Sequence, residues 1–322
     1  MPEKPNPEAL FELIDGFRRS QTLFAAVKLG VFDGARPQAT ELSRLLDACV
    51  SLGLLEKAGS EYLNTALADA YLRTDCPGSL AGYIRCAAED FYPKWSGLAE
   101  AVLGRKPEEP PKPSLFGTLF HRPKQEPKAE DRTKDFMSGM HGYGLVSSPR
   151  VAEAFDFSRF HAFVDLGGST GHLALAMQAH YPNMSVAVVD IPSVMEHTKH
   201  YAGDRAKLHA GDLFADPLPP GDLYALGKVL HNCTDERIGI LLQRIHNALP
   251  TGGGLMVVER LLAEDRNGPV HAHLSSLNML ISSHGRERTF SEYRAFLEKA
   301  GFQEVVVKKT GGLVDVIFGV KS

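Results

Sequence analysis

"FVDLGGSTGHLALAMQAHYPNMSVAVVD", residues 163–190, decides the fold. A short apolar run reaches Asp165, and Gly167, Gly168 and Gly171 crowd the turn behind it. A helical pattern follows, and a second apolar run ends in Asp190. Strand, glycine turn, helix, strand is the opening unit of a parallel sheet whose ligands sit beyond the carboxyl ends of its strands. Glycines let the backbone approach a ligand without a Cβ in the way. Asp190 stands 19 residues after Gly171, where a carboxylate accepts hydrogen bonds from both ribose hydroxyls. The spacing D-L-G-G-S-T-G does not supply G-x-G-x-x-G, so a nicotinamide dinucleotide is a poor fit.

Working outward, strands and helices alternate from residue 163 to the end. Strands are expected at Phe163–Leu166, Val186–Asp190, Leu223–Val229, Leu255–Glu259, Glu304–Lys308 and Asp315–Val320. Between them, "DERIGILLQRIHNAL" carries one apolar stripe of Ile238, Leu241, Leu242, Ile245 and Leu249, and Pro250 ends the helix. This alternation predicts an α/β doubly wound, mostly parallel sheet with helices on both faces. No helix separates the last two strands, so they must pair as a hairpin, with one antiparallel strand at the edge.

Residues 1–103 read as a helical, winged-helix-like domain, with a helix to Leu52 and a small hairpin around Ala58-Gly59. Winged helices often bind DNA, but this helix carries Glu41 and Asp47 against one Arg44. Residues 104–134, rich in proline and charge, read as a loop or linker whose apolar island "SLFGTLF" is an anchor. Residues 135–322 form the sheet domain. The 322-residue chain is 43% hydrophobic and 23% charged, with a formal charge of −4. That composition supports a sizeable core and argues against nucleic acid as a partner. No apolar run approaches the roughly 20 residues of a membrane span. The start lacks a secretory pattern, and Cys49, Cys76, Cys86 and Cys233 lack metal-ligand or redox spacing. A cytoplasmic protein with reduced thiols and no metal site is expected.

"GDLFADPLP" at 211–219 offers Asp212 to an exocyclic amine and Leu213 and Phe214 to an adenine face. His231 lies just beyond the strand that starts at Leu223, and Glu259 ends the next one, on the same sheet edge. Glu287 lies in "GRERT".

"DLGGSTGHLA", "VVDIPSV", "GDLFADPLPPGDLYALGKVLHN", "GGGLMVVERLL", "SLNMLI" and "GRERTFSEYRAFLEKAGF" occur in this order. With "GFRRSQTLFAAVKLGVFD" and "LLDACVSLGLLEK" they span nearly the whole chain outside the proline-rich stretch. In them the chain resembles the S-adenosylmethionine-dependent small-molecule O-methyltransferases, most nearly the acetylserotonin O-methyltransferase-like branch. The resemblance implies S-adenosylmethionine as methyl donor and a small aromatic hydroxyl compound as acceptor. It implies that Asp165 and the turn Gly167, Gly168, Gly171 receive the methionine end. Asp190 would hold the ribose, and Asp212, Leu213 and Phe214 the adenine.

A phenol, with a pKa of about 10, must lose a proton before it attacks a methyl group, and histidine titrates in the right range. The resemblance makes His231 the general base, oriented by Glu259 and Glu287. It assigns Lys228, Asn232, Asn278, Met279, Met137 and His141 to the acceptor. His209, His246 and His284 read as ordinary histidines. Asn232 and Cys233 stand where the family usually has aspartate and tryptophan, and Ser169 where it has a glycine. Lys228, in place of an arginine or an aromatic, would favour an acidic or carbonyl-bearing acceptor. Only six residues separate Asp33 from Thr40, where relatives carry a helix-sized segment. The implied homodimer would then be altered, or its pocket more open. Two alternatives use the same scaffold: a decarboxylase, hydroxylase or pericyclase that does not transfer the methyl group, and a non-catalytic cofactor-binding dimer.

Overall fold

A computed structural model describes residues 5–35, 38–105, 127–283 and 285–322, with only the backbone described for 127–132. The "SLFGTLF" island and His284 lie outside them.

The sheet forms where the alternation placed it. Seven strands run in the order β10-β11-β7-β6-β3-β4-β5. They are β3 Ala162–Leu166, β4 Ser185–Asp190, β5 Lys207–Ala210, β6 Leu223–Gly227, β7 Gly254–Glu259, β10 Phe302–Lys308 and β11 Asp315–Lys321, while β8 Leu261–Leu262 and β9 Arg288–Thr289 pair with each other outside it. β3 pairs in parallel with both β4 and β6, so the strand order reverses at β3 and a crevice opens beyond its end. Side chains alternate between faces. On β6, Tyr224 and Leu226 join Ile238, Leu241, Leu242 and Ile245 of the helix Asp235–Ala248 on one side of the sheet. Leu223 and Ala225 join Phe163, Leu173 and Met177 on the other. Thr234 caps the Asp235–Ala248 helix by accepting from the Arg237 N–H at 3.4 Å.

Four expectations are corrected. The antiparallel strand is not the edge: β11 inserts between β7 and β10, antiparallel to both. The hairpin turns inward because Val316 and Ile317 are fully buried, and β10 is left outermost with Gln303 and Glu304 exposed. β6 stops at Gly227, because Lys228 takes a left-handed backbone with φ of 55°. β5 is an extra edge strand, mostly solvent-facing, and so carries no apolar signal. The helix Pro127–Ala152 begins inside the stretch expected to be a linker.

The N-terminal region consists of the helix Glu8–Lys28, the helix Leu42–Ser51 and a hairpin of β1 Leu55–Ala58 and β2 Glu61–Asn64 turning at Gly59. Short helices follow at Ala66–Tyr71, Ala81–Cys86, Tyr92–Trp95 and Leu98–Val102. The helices Ala81–Cys86 and Pro127–Ala152 cross with backbones nearly touching. A Cβ on Gly82 would lie 2.9 Å from the Gly139 N–H nitrogen, and one on Gly142 would strike the Ser79 carbonyl. This crossing seats the N-terminal region on the sheet domain.

Candidate active site

At the carboxyl end of β3 the glycine turn is folded tightly. Gly167 and Gly171 have φ of 71° and 77°, and Ser169 adopts φ of 52°. A left-handed serine costs of order 1 kcal/mol. The Ser169 N–H donates to Asp190 Oδ2 at 2.9 Å, and Thr198 Oγ1 donates to the Ser169 carbonyl at 2.5 Å. A Cβ on Gly168 would lie 2.6 Å from Asp165 Oδ2. That oxygen is buried with no partner among the described residues. Burial, helped by the charge of Asp190, pushes the Asp165 carboxyl up to about 7. Burial likewise raises Asp190 to about 6, against the pull of the Ser169 and Ile191 N–H groups. A cradle without Cβ atoms, two carboxylates at its rim and an unused acceptor fit a ligand rich in hydroxyl and amine donors.

The loop after β5 closes one side. Asp212 is exposed, and its Oδ1 accepts the Phe214 N–H at 2.8 Å. Leu213 lies 3.8 Å from where a Gly167 Cβ would stand. Phe214 is half-buried, with the Arg237 guanidinium 3.9 Å from its ring centroid.

The second cluster sits at the ends of β6 and β7. His231 rides on a 3₁₀ turn, Leu230–Asn232, and is 4% exposed. Its Nδ1 faces Glu287 Oε1 at 3.1 Å and Glu259 Oε2 at 3.3 Å, and its N–H donates to Glu259 Oε1 at 3.2 Å. Among the described residues nothing hydrogen-bonds Nε2. Glu287 Oε1 also accepts from Ser275 Oγ at 2.6 Å. Burial pushes Glu287 up, but the His231 and Ser275 hydrogen bonds outweigh it and hold the carboxyl below its ordinary value. Glu259, fully buried with fewer donors, is raised to about 7. One carboxylate is therefore charged at neutral pH and the other is poised to be neutral. The Nδ1 hydrogen of a neutral His231 points to Glu287, leaving Nε2 with a free lone pair.

Ser275 was not legible in the sequence, because a serine inside a helix carries no signal of its neighbour. Ser275→Ala removes a donor from the Glu287 carboxylate, so that group titrates higher. The acid limb of the kcat/KM profile should move to higher pH, with KM little changed. A pH–rate series on both proteins checks this; an unmoved limb means that Ser275 does not hold Glu287.

The same three groups place donor atoms within 4.8 Å of one another, which corrects the expectation that no metal-ligand cluster exists. The separations of 3.1 and 3.3 Å are ones that ordinary hydrogen bonds between the imidazole and the two carboxylates account for. Neither basic neighbour pairs with Glu259, as an ordinary ion pair would require. Arg288, 1% exposed, instead donates to the Leu230 and Cys233 carbonyls at 3.4 and 3.1 Å and to Asp235 at 2.6 Å. It staples the turn that carries His231. Arg260 Nη2 donates to the Tyr143 hydroxyl at 3.1 Å.

The acceptor-side expectations divide. Lys228 Nζ lies 4.5 Å from the Tyr143 ring centroid, and burial lowers its pKa. Asn232 Nδ2 donates to the Lys228 carbonyl at 3.1 Å. Asn278 Oδ1 accepts from Trp95 Nε1 at 3.1 Å, so an N-terminal side chain reaches the helix Val270–Ser282. Met279, on the same helix, is 9% exposed. Met137 and His141 lie elsewhere. Met137 Sδ is 3.9 Å from Ser169 Oγ, and His141 Nδ1 is 3.0 Å from Thr170 Oγ1, with its ring stacked on Tyr201 at 4.2 Å. Both abut the glycine turn, because the helix that carries them packs across it. Tyr143, Trp95 and Arg260 carry no signal in the sequence, because each comes from a segment distant along the chain. His209 and His246 lie outside both clusters, on β5 and on the far side of the helix Asp235–Ala248.

The O-methyltransferase domain family matches residues 95–303. The acetylserotonin O-methyltransferase of Bos taurus is 40% identical over 97% of this chain and 97% of its own length. The probable bifunctional dTTP/UTP pyrophosphatase/methyltransferase protein of Homo sapiens is 37% identical over 98% of this chain, which spans 54% of that protein. Among solved structures, human N-acetylserotonin methyltransferase in complex with SAM superposes with a TM-score of 0.88 at 36% identity, covering 100% of this chain and 99% of that one. PigF with SAH gives 0.82 at 27% identity, covering 99% and 100%.

Proposed function

This chain belongs to the S-adenosylmethionine-dependent O-methyltransferases, and from that premise we propose that His231 is the general base that prepares a small aromatic hydroxyl for methylation. The enzyme moves a methyl group from S-adenosylmethionine to a hydroxyl of a small aromatic acceptor. The observation that carries the assignment of roles is the buried His231 held through Nδ1 by Glu287 and Glu259, with Nε2 left over.

When bound, the donor supplies an electrophilic methyl on a positively charged sulfur, a leaving group that needs no acid. The acceptor proton goes to His231 Nε2. Glu287, charged and beside Nδ1, stabilises the imidazolium that forms, and Glu259 fixes the backbone of the same residue. Asp190 and the glycine turn hold the ribose and methionine ends, and Asp212, Leu213 and Phe214 the adenine. Lys228, Asn232, Asn278 and Met279 line the acceptor side. Met137 and His141, given where they lie, act through the glycine turn rather than on the acceptor.

We assign domains to residues 1–103 and 135–322, joined by 104–134, and read the first as winged-helix-like. A homodimer is supported by the helix Glu8–Lys28, where Leu10, Phe11, Leu13, Ile14 and Phe17 are 49–79% exposed. A face of that size asks for a partner, and sedimentation equilibrium tests it. No helix among the described residues is long and apolar enough to cross a membrane. Cys49, Cys76, Cys86 and Cys233 are thiols rather than disulfides, which supports a reducing, cytoplasmic setting.

Titration calorimetry with S-adenosylmethionine and S-adenosylhomocysteine, then a methyl-transfer screen over phenols including N-acetylserotonin, tests the reading. Absence of binding by either ligand would sink it. Binding also has a proton signature. Ribose hydroxyls donating to Asp190 favour its charged form and lower its pKa from about 6. S-adenosylhomocysteine binding should therefore release protons at pH 6 and almost none at pH 8. Calorimetry in two buffers of different ionisation heat measures this, and Asp190→Asn should reduce the release.

A further inference from the structure

Arg260 follows Glu259 along the chain, and its side chain reaches the Tyr143 hydroxyl. It enters a second cavity of about 290 Å³, walled by Arg260, His271, Lys309, Asp315 and the turn at Gly311–Gly312. Three of those side chains are basic and one is acidic. The acid is already engaged: Asp315 accepts from Lys309 Nζ at 2.9 Å and from the Thr310 N–H at 3.3 Å.

The Arg260 guanidinium has no such partner. Among the described residues its one hydrogen bond goes to a neutral phenol, that of Tyr143 at 3.1 Å. Its Nε is buried and unpartnered among the described residues, and no carboxylate there lies within ion-pair distance of it. A buried charged donor left unpaired costs free energy that a matching acceptor recovers. The planar fork of a guanidinium matches two oxygens of one oxyanion. The helix Val270–Ser282 starts at the same wall with Pro269 as N-cap and no side-chain cap, which adds positive potential there.

We propose that this cavity is an anion site that takes a carboxylate, sulfate or phosphate group on Arg260, with Lys309 and His271 beside it. The anion comes from one of two sources: an acidic arm of the acceptor, or a free inorganic anion. Tyr143 ties the cavity to the acceptor wall, since Arg260 binds its hydroxyl while Lys228 faces its ring. Binding of a free anion stands independently of the methyl-transfer reading, whereas the acceptor's arm rests on it.

The test is calorimetric titration of sodium sulfate, and separately phosphate, into the full chain saturated with S-adenosylhomocysteine, with sodium chloride at equal ionic strength as control. Saturable binding is expected. Arg260→Met should weaken it at least about tenfold and leave S-adenosylhomocysteine affinity unchanged. Lys309→Gln, an exposed change that spares the Tyr143 contact, should weaken it by a smaller factor of about three. Acceptor kinetics then separate the sources. Sulfate competing only with carboxylate-bearing phenols assigns the acceptor's arm, whereas a uniform effect on all phenols assigns a free anion. Sulfate and phosphate failing to bind the wild type while S-adenosylhomocysteine binds overturns the proposal, as does binding that both variants leave unchanged.

Discussion

His231→Ala lowers kcat by about 10²–10⁴-fold, the range lost with a positioned general base, while S-adenosylhomocysteine affinity stays within about twofold. The two halves of that result come from separate places. The glycine turn proposed to hold the donor is built at the ends of β3 and β4, whereas His231 rides on the turn after β6. The loss should shrink at high pH, because an acceptor phenol of pKa about 10 ionises without help as pH approaches that value. A variant as active at pH 7 as the wild type would remove His231 from the mechanism. Because the three side chains act as one unit, Glu287→Gln in the His231→Ala background should cost little more. Single-turnover rates with saturating donor isolate the step, and circular dichroism confirms that the variant is folded. Alanine leaves Glu259 and Glu287 facing each other without the imidazole, so some loss of Tm is expected as well.

Gly285→Ala should be nearly as damaging, although a glycine brings no reactive side chain. A Cβ at Gly285 would fall on the His231 carbonyl oxygen and lie 2.7 Å from the Asn232 Cα. These are backbone atoms, so nothing at the end of a flexible side chain can swing aside. Either the turn Leu230–Asn232 or the chain leading into Glu287 must move. A displacement near 1 Å at a reacting group costs about 10²-fold in rate. The expected outcome is a kcat loss of that order, a modest fall in Tm and unchanged S-adenosylhomocysteine binding. Titration calorimetry and initial rates check both arms. A fully active Gly285→Ala would mean that the contact relaxes without moving the base.

How much of this was readable beforehand differs from one element to the next. The β3–turn–β4 unit was, because three independent local signals agree in it: an apolar run, glycines at a turn and a carboxylate at a strand end. The helix Asp235–Ala248 was, because one stripe of apolar residues and a terminal proline are both local. His231, Glu259 and Glu287 were placed by position at strand ends and by family motif. Their mutual geometry, with one histidine nitrogen between two carboxylates, has no counterpart in any stretch of sequence.

The failures share a cause. β5 was missed because an edge strand with exposed side chains lacks the alternation that marks a buried one. The place of β11 was wrong because hairpin pairing is local, whereas the choice of which hairpin strand docks on β7 depends on which one buries Val316 and Ile317. Met137 and His141, expected at the acceptor, lie against the glycine turn, because a helix presents several faces and only its packing selects one. Ser275, Arg288 and Gly285 work through contacts with residues 12, 58 and 54 positions away in the chain.

By itself the sequence determined the alternation of most strands and helices, the glycine turn with Asp190 at the next strand end and the identities of His231, Glu259 and Glu287, since all of these are written in short-range patterns of polarity, size and backbone freedom. Only the tertiary structure decided which carboxylate is charged and which nitrogen of His231 is left over. It alone revealed that Arg260 faces a separate cavity, because burial, pKa and pairing depend on atoms that meet only after the chain has closed on itself.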